Sequence, residues 1–302
     1  MSSGILPNSN AGHKRLPERP AQSPWKQHFV ATLGEFVGTF QFLFFGNTIH
    51  LMVINLAAQA PGSTSKLLQV VYIGYGYGFS LLVNVWAFYR ISGGLFNPAV
   101  RFVMSLSPYS PFYASSITHP HFPRYSYVPL TKLSNHARTV PSRQAPLAPP
   151  RLLRPHPTHS RRPGRRPVPG HVPRRLLGTI TTVAPGVSVV QGLFGEMFLT
   201  AFLMFTILML AGEKSRTSFV APVGIGLALF VAQLAGVFFT GGSLNPARSL
   251  GSSAAAADFP SYHWIYWLGP GMGAILAAAF FRLLKGLNYE EANPGQDAKC
   301  EV

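Results

Sequence analysis

Two asparagines dominate the chemistry this chain can offer, because each opens the same triplet: Asn97-Pro98-Ala99 and Asn245-Pro246-Ala247. An Asn side chain caps a helix by accepting an orphan backbone N–H, and Pro fits the first helical position because it has no N–H of its own. Each triplet therefore marks a helix start. Capping uses the side-chain oxygen and leaves the amide group free to donate hydrogen bonds. A Gly-rich turn leads into each triplet, Ser92-Gly93-Gly94-Leu95-Phe96 and Thr240-Gly241-Gly242-Ser243-Leu244. Arg248 follows the second triplet directly, and Glu35 and Glu196 are carboxylates inside apolar stretches. No nucleophile-base-orienter set is placed where a pocket could be inferred, so no enzyme is expected. The histidines lack ligand spacing and the lone Cys300 suggests no thiol chemistry, so neither a metal nor a cofactor is expected.

The elements that position these residues follow from hydropathy. Of 302 residues, 47% are hydrophobic and only 11% charged, too few charges for an ordinary soluble surface. Residues 1–28 are polar and Pro-rich with Lys14, Arg15, Arg19 and Lys26, and read as a disordered cytoplasmic tail with no signal peptide before it. Phe29 to about Ile54 exceeds the roughly 20 apolar residues that cross a bilayer. Leu68 to Tyr89 is a second span, with glycines at 74, 76 and 78 suited to close helix contacts, and Arg90 marks its cytoplasmic end. Ile91 to Val100 is too short to cross and reads as re-entrant. Beyond residue 185 come spans at Val189–Leu210, Phe219–Phe239 and Trp264–Leu284, with the second triplet in a segment ending near Ala257. Tyr262, Trp264, Tyr266 and Trp267 are expected as an interfacial aromatic belt.

Laid side by side, the two halves repeat. Glu35-Phe-Val-Gly-Thr39 lies in the first span and Glu196-Met-Phe-Leu-Thr200 in its counterpart, each followed by another span and then an Asn-Pro-Ala segment. Such repeats build channels and transporters, often in inverted topology with broken half-helices meeting at the midplane. A carboxylate inside a span is costly and faces the bundle interior, so Glu35 and Glu196 are expected to brace the backbone of the non-helical loops. Two helix N-termini aimed at one point place about half a positive charge each there, which repels cations while the Asn amides bind a passing water. Arg248, too deep to snorkel, adds a second barrier.

With Ser92 to Val100, Thr240 to Ser249 and the two Glu-x-x-x-Thr motifs in view, the chain resembles the aquaporin, or major intrinsic protein, family, and a fungal-type member in particular. The resemblance covers roughly residues 29–100 and 187–290. It implies an all-α membrane protein: a right-handed bundle of six spans plus two re-entrant half-helices in inverted repeats, assembled as a homotetramer with one pore per protomer. Both termini would be cytoplasmic and the plasma membrane the expected location. It places Asn97 and Asn245 on the pore and Tyr77, Gln233, Gly242 and Arg248 at the selectivity constriction. Water-selective members commonly carry Phe and His where this chain has Tyr77 and Gln233, and the small Gly242 is expected to leave a wider filter. Ser249, where glycerol-conducting members have Asp, and the pair Tyr266-Trp267 resemble the water channels. Water is therefore the expected solute, with glycerol or another small neutral molecule as the alternative.

The middle of the chain departs from this pattern. Residues 101 to 185 hold 12 Arg, one Lys, no Asp or Glu, and 16 of the 27 prolines, so 13 of the +16 net charge sits there. The uncharged stretch Phe102 to Phe122 contains Pro108, Pro111 and Pro120, each about 3 kcal/mol unfavourable within a helix. A third span is therefore in doubt. The domain reading is a tail at 1–28, a first half at 29–100, a Pro/Arg-rich segment at 101–186, a second half at 187–287 and a tail at 288–302. The basic segment reads as a mis-translated stretch, a disordered loop, or an acquired binding segment for RNA or anionic lipid. On the last reading the protein is membrane-tethered and non-conducting. A nucleic-acid partner is not otherwise expected, because the charge is confined to this segment.

Overall fold

The computed structural model describes residues 23–59, 65–106, 178–213 and 218–292. Helix α1 runs Pro24–Gln59, α2 Lys66–Ser92 and the short α3 Pro98–Leu106. After the basic segment come α4 (Val189–Ile207), α5 (Ala221–Thr240), the short α6 (Pro246–Ala256) and α7 (Ile265–Gly286). Five helical segments among the described residues are long and apolar enough to cross a membrane. The expected third span, the arginines between 107 and 177, the loop at 214–217, Cys300 and most of both tails lie outside the described residues.

Local chemistry sets the helix ends. α1 begins at Pro24, five residues before the apolar stretch, because Pro suits the first helical position and Ser23 O accepts from Gln27 N at 3.2 Å. Ser65 caps α2, and Ser188 with Gln191 forms a reciprocal capping box on α4. α2 and α5 both stop at a left-handed glycine, Gly93 (φ 90°) and Gly241 (φ 79°). α4 ends in a π-helical turn, Leu208–Gly212, that the apolar pattern did not predict. α3 continues to Leu106, beyond the Val100 boundary expected for the first half.

Packing between helices rests on small residues, as it must where lipid removes the hydrophobic drive for association. Gly78 of α2 and Gly226 of α5 lie backbone to backbone: a Cβ on Gly226 would sit 2.8 Å from Gly78 O. Gly74 and Gly78 face α5 while Gly76 faces Ile49 of α1, so the closely spaced glycines serve two different neighbours. Gly269 and Gly273 of α7 press against the backbone of α4 at Leu193 and Met197 in the same way. α1 pairs with α4, α2 with α5 and α3 with α6 as halves of a repeat. α7 has no counterpart among the described residues.

Two of the four expected belt aromatics turn inward. Trp264 and Trp267 are about half exposed, but Tyr266 is fully buried with its hydroxyl donating to Thr240 O at 2.9 Å, and Tyr262 Oη accepts from Val183 N at 3.3 Å. At the far end of α7, Lys285 pairs with Glu213 at 2.6 Å and Glu290 at 2.5 Å. Its hydrogen bond holds the exposed Glu290 carboxyl below the usual carboxylate range.

Candidate functional site

The two triplets meet. Asn97 Oδ1 accepts from Ala99 N and Asn245 Oδ1 from Ala247 N, both at 2.9 Å, so each side chain caps its own short helix. The nitrogens then cross: Asn97 Nδ2 donates to Leu244 O and Asn245 Nδ2 donates to Phe96 O, again both at 2.9 Å. One N–H of each amide is therefore spent on the opposite loop. The expectation that capping leaves the whole amide free is corrected to one remaining N–H per Asn, because the crossed bond joins the loops.

The loops before the triplets share an unusual backbone. Gly93, Gly94 and Phe96 have φ of 90°, 65° and 46°, and Gly241, Gly242 and Leu244 have 79°, 58° and 52°. The left-handed residues thus fall at the same three offsets from each Asn. For Phe96 and Leu244 that conformation costs on the order of 1–3 kcal/mol and persists only where surroundings impose it. Those surroundings are the two carboxylates. Glu35 accepts from Leu95 N at 3.1 Å and Phe96 N at 2.9 Å, and Glu196 from Ser243 N at 2.9 Å and Leu244 N at 2.8 Å.

Above the second loop, four residues singled out in the sequence come together. Arg248, Tyr77 and Gln233 are each no more than 1% exposed, and Arg248 Cζ lies 4.7 Å from the centroid of the Tyr77 ring. Gln233 Nε2 donates to Gly242 O at 2.8 Å, and a Cβ on Gly242 would lie 2.5 Å from Gln233 Oε1. The small Gly242 therefore does not widen this point as expected: the Gln233 amide folds into the space, and the positive φ independently favours glycine. The three guanidinium nitrogens of Arg248 and Gln233 Oε1 are buried without hydrogen-bond partners among the described residues. Donors and an acceptor are thus presented together, a set that suits a molecule able both to accept and to donate.

Of the remaining sequence candidates, Pro98, Ala99, Pro246 and Ala247 form the first turns of α3 and α6. Ser249 is buried and bonded to Ser243 Oγ at 2.5 Å and Thr181 Oγ1 at 2.8 Å. Trp267 lies on the outer surface, separated in environment from its neighbour Tyr266. Three residues near the site were not singled out in the sequence: Asn47, His50 and Thr181. Tyr77 Oη donates to Asn47 Oδ1 at 2.7 Å and lies 3.4 Å from His50 Nδ1. Thr181 stood in the basic segment, whose composition hid it; the described part of that segment, from residue 178, packs against the second loop at Gly241.

Comparison with known proteins fits this geometry. The family model described as major intrinsic protein matches residues 23–111 and 168–281, leaving much of the basic segment unmatched. "Probable aquaporin-3" of Gibberella zeae is 46% identical over 302 residues, spanning 98% of this chain and 93% of that protein. "Aquaporin-7" and "Aquaporin-2" of Botryotinia fuckeliana are 44% and 45% identical over 90% and 91% of this chain. The chain spans only 53% and 64% of those two proteins. The X-ray structure of the aquaglyceroporin from Plasmodium falciparum matches with a TM-score of 0.53 at 16% identity, covering 86% of this chain and 97% of that one, a likeness of fold. The inverted pair of capped half-helices, the family match over both halves and the fungal relatives together place this chain in the major intrinsic protein family of integral membrane channels.

Proposed function

We propose that this chain is a passive channel for water that excludes protons and other ions. The observation that carries the reading is the crossed pair of Asn amides at the meeting point of two helix N-termini. About half a positive charge from each helix end opposes any cation there, and the remaining amide N–H groups orient a water oxygen. Arg248 supplies the second barrier, with Tyr77, Gln233 and Gly242 as the rest of the constriction. Ser249 favours water over glycerol because it offers no charge and is already bonded to Ser243 and Thr181. The same reading makes the protein a homotetramer in the plasma membrane with both termini cytoplasmic.

A second reading, a facilitator of glycerol or another small neutral solute, draws on the same unpartnered donors and acceptor, which suit a hydroxyl as well as water. The full chain in lipid vesicles, challenged with impermeant and permeant osmolytes while an internal dye reports pH, separates the two. Fast shrinkage in sucrose with no glycerol re-swelling and no proton leak supports water. Rapid re-swelling in glycerol supports the second reading, and shrinkage at the protein-free rate removes both. In the same assay Arg248→Val should admit larger solutes and weaken charge exclusion, and an unchanged solute profile would remove Arg248 from the constriction.

A further inference from the structure

We propose that His50, together with Gly46 and Asn47 of α1, is a positioning element that fixes Tyr77 across the constriction and thereby sets its solute cut-off. The inference rests on the channel reading above. Gly46 and His50 are four residues apart on α1, with Asn47 beside them, so the three share one helix face. All three meet Tyr77 on α2. A Cβ on Gly46 would lie 2.6 Å from Tyr77 Cδ1, so only glycine lets this edge of the ring come so close to α1. Phe42, one turn earlier on that face, closes the socket edge-on at 6.5 Å between centroids.

Proton bookkeeping defines the role of His50. A tyrosine hydroxyl has one proton, and Tyr77 gives it to Asn47 Oδ1 at 2.7 Å. The 3.4 Å contact with His50 is then a hydrogen bond only when His50 Nδ1 carries the hydrogen and donates to the Tyr77 oxygen. His50 therefore carries a hydrogen on Nδ1 and donates it to the hydroxyl that Asn47 holds by its proton. Held at both ends of its hydroxyl and along one edge, the ring keeps its face under Arg248, 4.7 Å from the guanidinium carbon. Release of the hydroxyl frees the ring to turn, and the space beside Arg248 widens.

Two measurements on the full chain in lipid test this. Ultraviolet resonance Raman difference spectra, taken against Tyr77→Phe, isolate the Tyr77 doublet, whose intensity ratio reports whether the hydroxyl donates, accepts or does both. The unsubstituted chain should show both; His50→Leu should lose the accepting component and His50→Gln restore it. In flux assays His50→Leu should raise the glycerol-to-water permeability ratio about fivefold, the factor one net hydrogen bond sets. The same substitution in a Tyr77→Phe background should add nothing, since the group through which it acts is gone. A donor-only Tyr77 in the unsubstituted chain overturns the proposal even where His50→Leu does not fold, as does an additive double variant. The absence of water flux in the unsubstituted chain would overturn instead the channel reading, and the spectra, which need no flux, tell the two failures apart.

Discussion

The two halves of this molecule build the same loop with different support. Glu35 and Glu196 each bind the two N–H groups at the same offsets before an Asn. Yet the Glu35 side chain is 13% exposed, and its charged neighbour, Arg101 at 3.8 Å, is itself 65% exposed. Glu196 is fully buried, takes a third hydrogen bond from Thr240 Oγ1 at 2.6 Å, and is covered by α7, where a Cβ on Gly269 would lie 2.9 Å from Glu196 Cβ. Loop geometry is thus the invariant of the repeat, and burial is the variable. In both halves a carboxylate on two backbone donors and a crossed Asn amide hold the left-handed turn; a covering helix determines how much depends on the carboxylate.

That difference is open to direct attack. The largest effect is expected for Glu196→Ala, which leaves Ser243 N and Leu244 N deeply buried without their acceptor and Thr240 Oγ1 with only its 3.3 Å bond to Gly236 O. At about 1–3 kcal/mol for each orphaned group, this approaches the whole stability of a domain. Glu35→Ala orphans two groups next to a partly exposed side chain and should cost about half as much. Thermal unfolding of the two variants in the same detergent checks the order, and equal losses would mean that burial does not set the strength of the brace.

A large side chain at the α4–α7 contact comes next. Gly273→Leu drives atoms into the backbone of α4 at Met197 and Ala201, where nothing flexible can give, so a cost of about 3 kcal/mol or more is expected. Unfolding midpoints against Gly271→Leu, where a Cβ meets nothing, supply the control. Smaller still, Asn97→Ala and Asn245→Ala each remove a cap and one crossed bond, about 2 kcal/mol together. Because the bonds are reciprocal, the two losses should match within about 0.5 kcal/mol and the double variant should lose less than their sum. At the bottom, Arg101→Ala removes an exposed ion pair and should change stability by less than about 0.5 kcal/mol.

Much of this was legible in the sequence, for reasons that are local. Asn followed by Pro states a helix start on its own, Gly-Gly before it states the turn, and a lone Glu in an apolar stretch asks for backbone donors close by. The repeat then set the two loops in register. What escaped depends on how helices cross. Asn47 and His50 are two polar residues in a long apolar helix, and nothing local links them to Tyr77 until α1 and α2 are packed together. Thr181 was lost in a segment defined by its arginines and prolines. The pair Tyr266-Trp267 reads as one unit in sequence, but helical rotation buries the first and exposes the second. The left-handed Phe96 and Leu244 were equally hidden, since neither residue type favours that conformation and only the glutamates and crossed amides impose it.

The most direct test of the central claim is the temperature dependence of osmotic water flux through the full chain in lipid vesicles. A pore in which water exchanges hydrogen bonds with fixed donors predicts fast shrinkage with a shallow temperature dependence. It further predicts that Asn97→Ala and Asn245→Ala reduce the flux to similar extents. Shrinkage no faster than in protein-free vesicles, with the steep temperature dependence of the bare bilayer, would contradict it.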